Sequence, residues 1–409
     1  MDWESLTEKL RNMGVRLGMD GSPQGQVPNK RPVETIIAGR DLDTIFGPVF
    51  SAETRMDTAY LHGKSKLLPA WGWSRLAEYS RHPQLGSADM QNFIFLDTET
   101  TGLSGGTGTM AFMVGAARFE QNTLHLEQFF LRNPAEEAAM LAALERFCDG
   151  MEAVVTYNGK AFDIPILNTR YILQSFISPF EDLPHFDLLA LTRRIWKARL
   201  ERCNLGVIEK EILGLIRSET DIPGYLVPEY YRDYLQTGDA EPLKGIFYHN
   251  QQDVVSLAAL FAILADLLEE PSNWENNSIK DFISLGSVME KLGNKTIASE
   301  LYQKGLSLAG DDKRDLVKAF LLQGNMAKKQ GDWSVAQACW EEAARLGSSE
   351  AMIDLAKYYE HVAKDYQKAI DYAQLSIQAS SQDAALSLQR PENIQATRRR
   401  VARLLQKKK

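Results

Sequence analysis

The chain has 409 residues, 44% of them hydrophobic and 24% charged, which excludes disordered and fibrous classes and predicts two or three globular domains. No run reaches the roughly 18 uncharged apolar residues of a membrane span. The opening MDWESLTEKLRNMG lacks the apolar stretch of a secretory signal, so no membrane association and a cytoplasmic location are predicted. Cys148, Cys203 and Cys339 are odd in number and far apart, and fit neither a zinc site nor a disulfide framework. Net charge is −8, and it sits in the middle of the chain: residues 91–270 hold 14 basic and 26 acidic side chains, against 11 and 11 in residues 1–90 and 21 and 17 in residues 271–409. A broad basic footprint is absent, so any nucleic-acid function has to rest on a local site.

Residues 1–90 show no periodicity. They hold a Gly/Pro/Asn/Gln-rich linker at 21–32 and isolated aromatics such as Trp71 and Trp73, and are predicted to be irregular with short helices. From Asn92 the pattern changes. FIFLD reads as a buried strand, and MAFMVGAARFE and TLHLEQFFL as a hairpin turning at Gln121 and Asn122. PAEEAAMLAALERFC is a predicted helix with Pro134 in its first turn. AVVTY is a further strand, and AFDIPILNTRYIL a helix that tolerates Pro165 near its start. Together, residues 91–270 predict an α/β domain.

Residues 275–385 read as helices that repeat. Ala298, Ala336 and Ala369 recur 38 and 33 residues apart, each behind a turn (LGNKT, QGDWS, AKDYQ), a period resembling tetratricopeptide repeats. Residues 386–409 read as a basic tail; from 388 on they carry eight Lys or Arg and one acid, Glu392.

Chemistry concentrates at three places. In FLDTETTGL, Asp97 and Glu99 are two apart on a strand and leave the same face, a costly pairing that a divalent cation relieves. In TYNGKAFDIPIL, Asp163 opens a helix after a turn at Asn158 and Gly159, where it serves either as a cap or as a ligand pointing over the strand ends. In FYHNQQDVVSL, His249 and Asp253 are four apart and stack on one helical face. An acid pair on a first strand, an acid opening a later helix and an acid on a last helix can converge around two ions, roughly 3.5–4 Å apart, that steady the attacking water and the leaving 3′ oxygen of a phosphodiester. Hard oxygen donors favour Mg2+ or Mn2+.

These three motifs, in this order, resemble the RNase H-like DEDD exonucleases, and more closely their YprB-type branch, over residues 92–265. HFDLLALTRRIWKARLERCNLGVIEKEILG and DIPGYLVPEYYRDYLQTGD, between the second and third motifs, also look like that branch. The resemblance implies a mixed sheet flanked by helices and a metal-assisted phosphodiesterase on DNA or RNA, most often 3′ to 5′. Its metal ligands would fall on Asp97, Glu99, Asp163 and Asp253. The third motif departs from the common patterns: one subgroup has a His where this chain has Tyr248, the other a Tyr where it has His249. His249 is favoured as the group that orients or deprotonates the water, since imidazole titrates near neutral pH, while Tyr248 fits a packing role equally well.

Asp187 reads either as a support for the site or as an ordinary strand-end acid. Thr100, Asn158, Arg193, Arg194 and Lys197 are the candidate substrate contacts, the last three sharing a helical face suited to phosphates. The predicted substrate is single-stranded or frayed nucleic acid, and the repeats are a candidate site for a protein partner. Two other readings stay open: a non-catalytic nucleic-acid-binding adaptor and a structure-specific endonuclease. Retention of all four candidate ligands favours the enzyme.

Overall fold

The computed structural model describes residues 31–102, 108–218, 221–274, 278–308, 310, 312–382 and 391–407. Most of the 21–32 linker, the last residue of the first motif, Leu103, and Lys408 and Lys409 lie outside the described residues.

A helical turn, α1 (Val33–Ile36), leads into an antiparallel hairpin, β1 (Arg40–Thr44) and β2 (Gly47–Asp57). A small hairpin, β3 (Leu61–His62) and β4 (Ser65–Lys66), and α2 (Ser74–Tyr79) follow. Then come β5 (Phe93–Thr100), β6 (Ala111–Glu120), β7 (Thr123–Phe130), α3 (Glu137–Phe147), β8 (Ala153–Thr156), α4 (Asp163–Leu173), β9 (His185–Asp187) and α5 (Leu188–Trp196). The seven-stranded sheet has the order β1-β2-β7-β6-β5-β8-β9, with β5, β8 and β9 parallel and the rest antiparallel. The irregular structure expected for residues 1–90 therefore does not hold over 40–57, which extend the sheet by two strands. β1 is an edge strand with little buried surface, so its sequence carries no apolar alternation to read.

β5 is buried on both faces, and its period of two divides it between two cores. Phe93 and Phe95 face one side, where Phe261 meets both rings edge-on. Ile94 and Leu96 face the other, against α3 and α4 through Met140, Leu141, Ile166 and Leu167. Asp97 and Glu99 continue the Phe93–Phe95 face.

The chain continues through α6 (Leu205–Ile208), a π-helical turn at Glu209–Leu213 and α7 (Val227–Thr237) to α8 (Leu243–Glu269). By length and composition α8 would be apolar enough to cross a membrane, but it is mostly buried inside the protein and forms the core of the Phe261 side.

Three antiparallel helix pairs follow: α9 (Ile279–Lys291) with α10 (Lys295–Ser307), α11 (Lys313–Gln330) with α12 (Trp333–Arg345), and α13 (Ser349–His361) with α14 (Tyr366–Gln382). Ala298, Ala336 and Ala369 each take the fourth position of a pair's second helix, and all three are fully buried. The first pair is not an independent appendage. Phe282, Leu285, Val288 and Met289 belong to the same core as Trp196 and Phe261, and Arg199 clasps the buried Asp281.

The basic tail is also corrected. Residues 391–407 form a helix, α15 (Pro391–Lys407), whose Leu404 is buried, and Arg400, Arg403 and Lys407 converge on the buried Glu360 of α13.

Candidate active site

The chain's C-terminal strand ends supply the site. β5, central in the sheet, brings Asp97 and Glu99 to its C-terminal end on the α8 side, and α8 brings Asp253 to face them. The parallel β8 ends in a turn that delivers Asp163 as the first residue of α4. Glu99 and Asp163 are buried, 8% and 5% exposed, and Asp97 and Asp253 are partly so.

Asp163 does not cap its helix. Its Oδ1 accepts from Thr98 Oγ1 at 2.6 Å and from the Thr98 amide at 3.1 Å. The turn that carries it is itself tied down. Asn158 adopts a left-handed φ of 71°, and its amide donates to Asp187 Oδ1 at 2.9 Å while the Lys160 amide donates to Oδ2 at 3.2 Å. Asp187 also caps α5 through the Leu189 amide. It is a strand-end acid whose bonds brace the Asp163 turn. Gly159 is required there, because a Cβ would lie 2.3 Å from Thr156 Oγ1.

Asp97 is held by a residue that the sequence reading did not single out. Asn250, fully buried, donates from Nδ2 to Asp97 Oδ2 at 3.0 Å and accepts at Oδ1 from Gln128 Nε2 at 3.0 Å. Gly115 leaves it room: a Cβ there would fall 2.2 Å from Asn250 Oδ1.

Asp253 pairs with Arg217, whose Nε and Nη2 also clasp the buried Glu209 at 2.7 and 2.6 Å. Glu209 opens the π-helical turn and accepts from Ser256 Oγ. His249 stacks above Asp253, with Nε2 3.7 Å from Asp253 Oδ2. Its Nδ1 lies 2.8 Å from Asp221 Oδ1 and 3.0 Å from Arg217 Nη1. With a proton on Nδ1 donated to Asp221, Nε2 keeps a lone pair, and Arg217 Nη1, itself a donor, is then a neighbouring cation of Nδ1 and not its hydrogen-bond partner. The Tyr248 hydroxyl accepts from the Ser218 amide at 3.1 Å and pins the segment that carries Arg217.

The electrostatics show what the site lacks. Burial raises the carboxyl of Asp97 well above the usual range, and Asp253, Asp163 and Glu99 raise it further. Glu99 is raised in the same way, by burial and then by Asp253 and Asp163, with Arg217 opposing. Burial lifts Asp163 to about 6 against the Thr98 bonds, and lifts Asp253 against Arg217 and His249. Four carboxylates from three elements thus share one low-dielectric volume with one guanidinium as countercharge. The donors are hard oxygens and the excess charge is negative, so the residues fit a divalent cation such as Mg2+ or Mn2+.

Several expected contacts lie elsewhere. Thr100 is buried, and its hydroxyl donates to the Gly102 carbonyl at 2.9 Å, which removes it from the candidate substrate contacts. Arg193, Arg194 and Lys197 are all exposed on α5 and its C-terminal end, but only Arg193 lines the cleft that Asn158 also lines. A second group of ligand type lies across the sheet. Atoms of Glu53, His125 and Glu127 on β2 and β7 fall within 4.8 Å of one another, whereas Asp97, Glu99, Asp163 and Asp253 form no group that tight among the described residues. Arg40 already pairs with both glutamates of that second group, and Arg55 with Glu53.

This sheet, with acids at the strand ends and a last helix that carries another, defines a class, and the chain belongs to the RNase H superfamily, whose family model matches residues 94–265. Over 324 residues it is 34% identical to the "Uncharacterized protein YprB" of Bacillus subtilis (strain 168), a stretch covering 77% of this chain and 75% of YprB. Domains of this superfamily act on nucleic acids and generally use divalent metals.

Proposed function

We propose that the chain is a divalent-metal-dependent nuclease that hydrolyses phosphodiester bonds, of the DEDD type and 3′ to 5′ in direction, on single-stranded or frayed ends. The observation that carries this reading is the convergence of Asp97, Glu99, Asp163 and Asp253 from β5, α4 and α8, each of them raised in pKa by burial. These four residues would hold Mg2+ or Mn2+. When bound, a pair of such ions supplies charge stabilisation for the attacking and leaving oxygens of an in-line displacement.

The chain's own groups do the rest. Thr98 and Asn250 hold Asp163 and Asp97 in fixed rotamers, so the ligands are preorganised. His249 Nε2 takes a proton from the attacking water, and Asp221 on Nδ1 stabilises the imidazolium that results. Water oxygen bonds to phosphorus, the bond from phosphorus to the 3′ oxygen breaks, that oxygen takes a proton from solvent to become the new 3′ hydroxyl, and the imidazolium returns its proton to solvent. Both the supporting shell and the ligands are intact, which favours an enzyme over a non-catalytic adaptor.

The test is a 5′-labelled oligonucleotide incubated with the full chain and Mg2+ or Mn2+. The reading expects a ladder of products shortened stepwise from the 3′ end, abolished by Asp97→Ala. Intact single- and double-stranded DNA and RNA with both ions would overturn it.

A further inference from the structure

A cleft of about 480 Å³ opens at the C-terminal ends of β8 and β9, next to the strand end that carries Asp97 and Glu99. Its lining comes from four separate parts of the chain: Tyr79 at the end of α2 and Arg81 just after it, Asn158 and Lys160 in the Asp163 turn, Arg193 on α5, and Lys291 at the end of α9. Arg81, Lys160, Arg193 and Lys291 are all exposed. Arg81 is held in the left-handed region with φ 69°, a conformation a bulky side chain rarely adopts.

The four cations share another property. Nearby, Arg75 is paired with Glu269 and Arg199 with Asp281, yet among the described residues none of these four reaches a carboxylate. Lys291 has only the ring of Tyr79, with Nζ 4.8 Å from its centre. The one acid in the cleft, Asp187, spends its oxygens on the amides of Asn158, Lys160 and Leu189. Four cations without a carboxylate partner among the described residues line one cleft of a protein of net charge −8, beside a domain that is strongly acidic. Such a concentration repels itself unless an anion fills it, and a negative surround funnels a polyanion toward it.

We propose that this cleft binds the phosphate backbone of a nucleic-acid strand on its way to the carboxylate site, and that the helical array contributes to it directly through Lys291. The proposal rests on the nuclease reading for the strand's destination. It assigns Arg81, Lys160 and Lys291 beside Arg193, and leaves Lys197 out. Phosphate contacts of this kind position a strand without reading its sequence.

The test uses the full-length chain carrying Asp97→Ala, so that a fluorescein-labelled single-stranded 20-mer stays intact, with binding followed by anisotropy over a salt series. Replacing all four cations by Gln is expected to weaken binding about tenfold or more and to flatten the slope of log K against log salt by about 3, at roughly 0.7 per phosphate contact. Lys291→Gln alone should flatten it by about 0.7. The exposed pair Arg398→Gln/Arg399→Gln on α15 should change neither quantity. No binding by the chain with its four cations, an unchanged slope in the quadruple variant, or an equal loss from the α15 pair overturns the proposal. Cleavage is scored separately without Asp97→Ala. Cutting that is indifferent to the four substitutions removes the cleft and leaves the nuclease. Binding that depends on the four, without cutting by any chain, removes the nuclease and leaves the cleft.

Discussion

Arg217 Nη2 meets both Asp253 and Glu209, and its Nε also holds Glu209, so one guanidinium bridges the acidic site and the buried turn behind it. The bond to Glu209 anchors it, and the bond to Asp253 offsets part of the charge that four carboxylates bring together. Removing it takes the guanidinium countercharge from two acids. Arg217→Met is expected to lower unfolding free energy by roughly 3–5 kcal/mol in EDTA, as loss of one member of a buried pair does. The same variant should bind Mn2+ several-fold more tightly, because a competing cation has gone. Urea melts and calorimetric titration read the two effects; unchanged stability would contradict the assignment.

The raised carboxyls make a second prediction with a definite sign. A carboxyl whose folded pKa exceeds its unfolded value is destabilised in its ionised form, so Asp97 costs stability at pH 7 and the cost fades as pH falls. Asp97→Asn should therefore raise the melting temperature in EDTA by a few degrees. A saturating divalent ion should do the same for the unaltered chain, by about 2.7 kcal/mol at a hundred times its Kd, and should do little for the variant. Scanning fluorimetry with EDTA or Mn2+ decides it, and an ion shift that survives Asp97→Asn counts against the site.

Thr98→Val keeps the shape of a β-branched strand residue and deletes the hydroxyl that Asp163 accepts from at 2.6 Å. Stability should fall by only about 1 kcal/mol. Activity should fall by about 10–100-fold, as it does when a residue orienting a metal ligand is lost. The Mn2+ concentration for half-maximal rate should rise alongside, a change that a merely structural role would not produce.

Two buried histidines contribute to the loss of stability in acid. His62 and His185 are 0% and 8% exposed, and burial lowers both to about 4. Since the folded value lies below the ordinary 6.5, the stability they contribute is complete above pH 6.5 and is lost as pH falls toward 4. Each accounts for at most about 3 kcal/mol. His62 bonds Ser256 through Nε2 at 2.7 Å and leaves Nδ1 without a partner. His62→Gln should shrink the stability lost between pH 7 and pH 5, measured in saturating Mn2+ so that the carboxylates stay ionised. An unchanged loss would place the titration elsewhere.

The candidate ligands were legible because local geometry alone makes each one conspicuous. Two acids two apart on an apolar strand share a face, and residues four apart on a helix stack. Their partners were not legible. Asn250 acts through Gly115 and Gln128, more than a hundred residues away, and Arg217 and Asp221 lie in a segment with no periodicity to mark them. Thr100 shows the limit of reading a strand end by type: the register shift between Glu99 and Thr100 turns its hydroxyl back into the chain. The basic tail did carry a signal in Val401 and Leu404, one helical turn apart, but its countercharge, Glu360, is distant in sequence. β1 joined the sheet without the alternation that announces a strand, as an exposed edge allows.

The most direct test of the account is a crystal structure of the full chain soaked in Mn2+, with anomalous difference maps collected at the manganese edge. The account predicts one or two peaks bounded by Asp97, Glu99, Asp163 and Asp253, with Arg217 turned away from Asp253. Peaks at Glu53, His125 and Glu127 alone, with none among the four carboxylates, would contradict it.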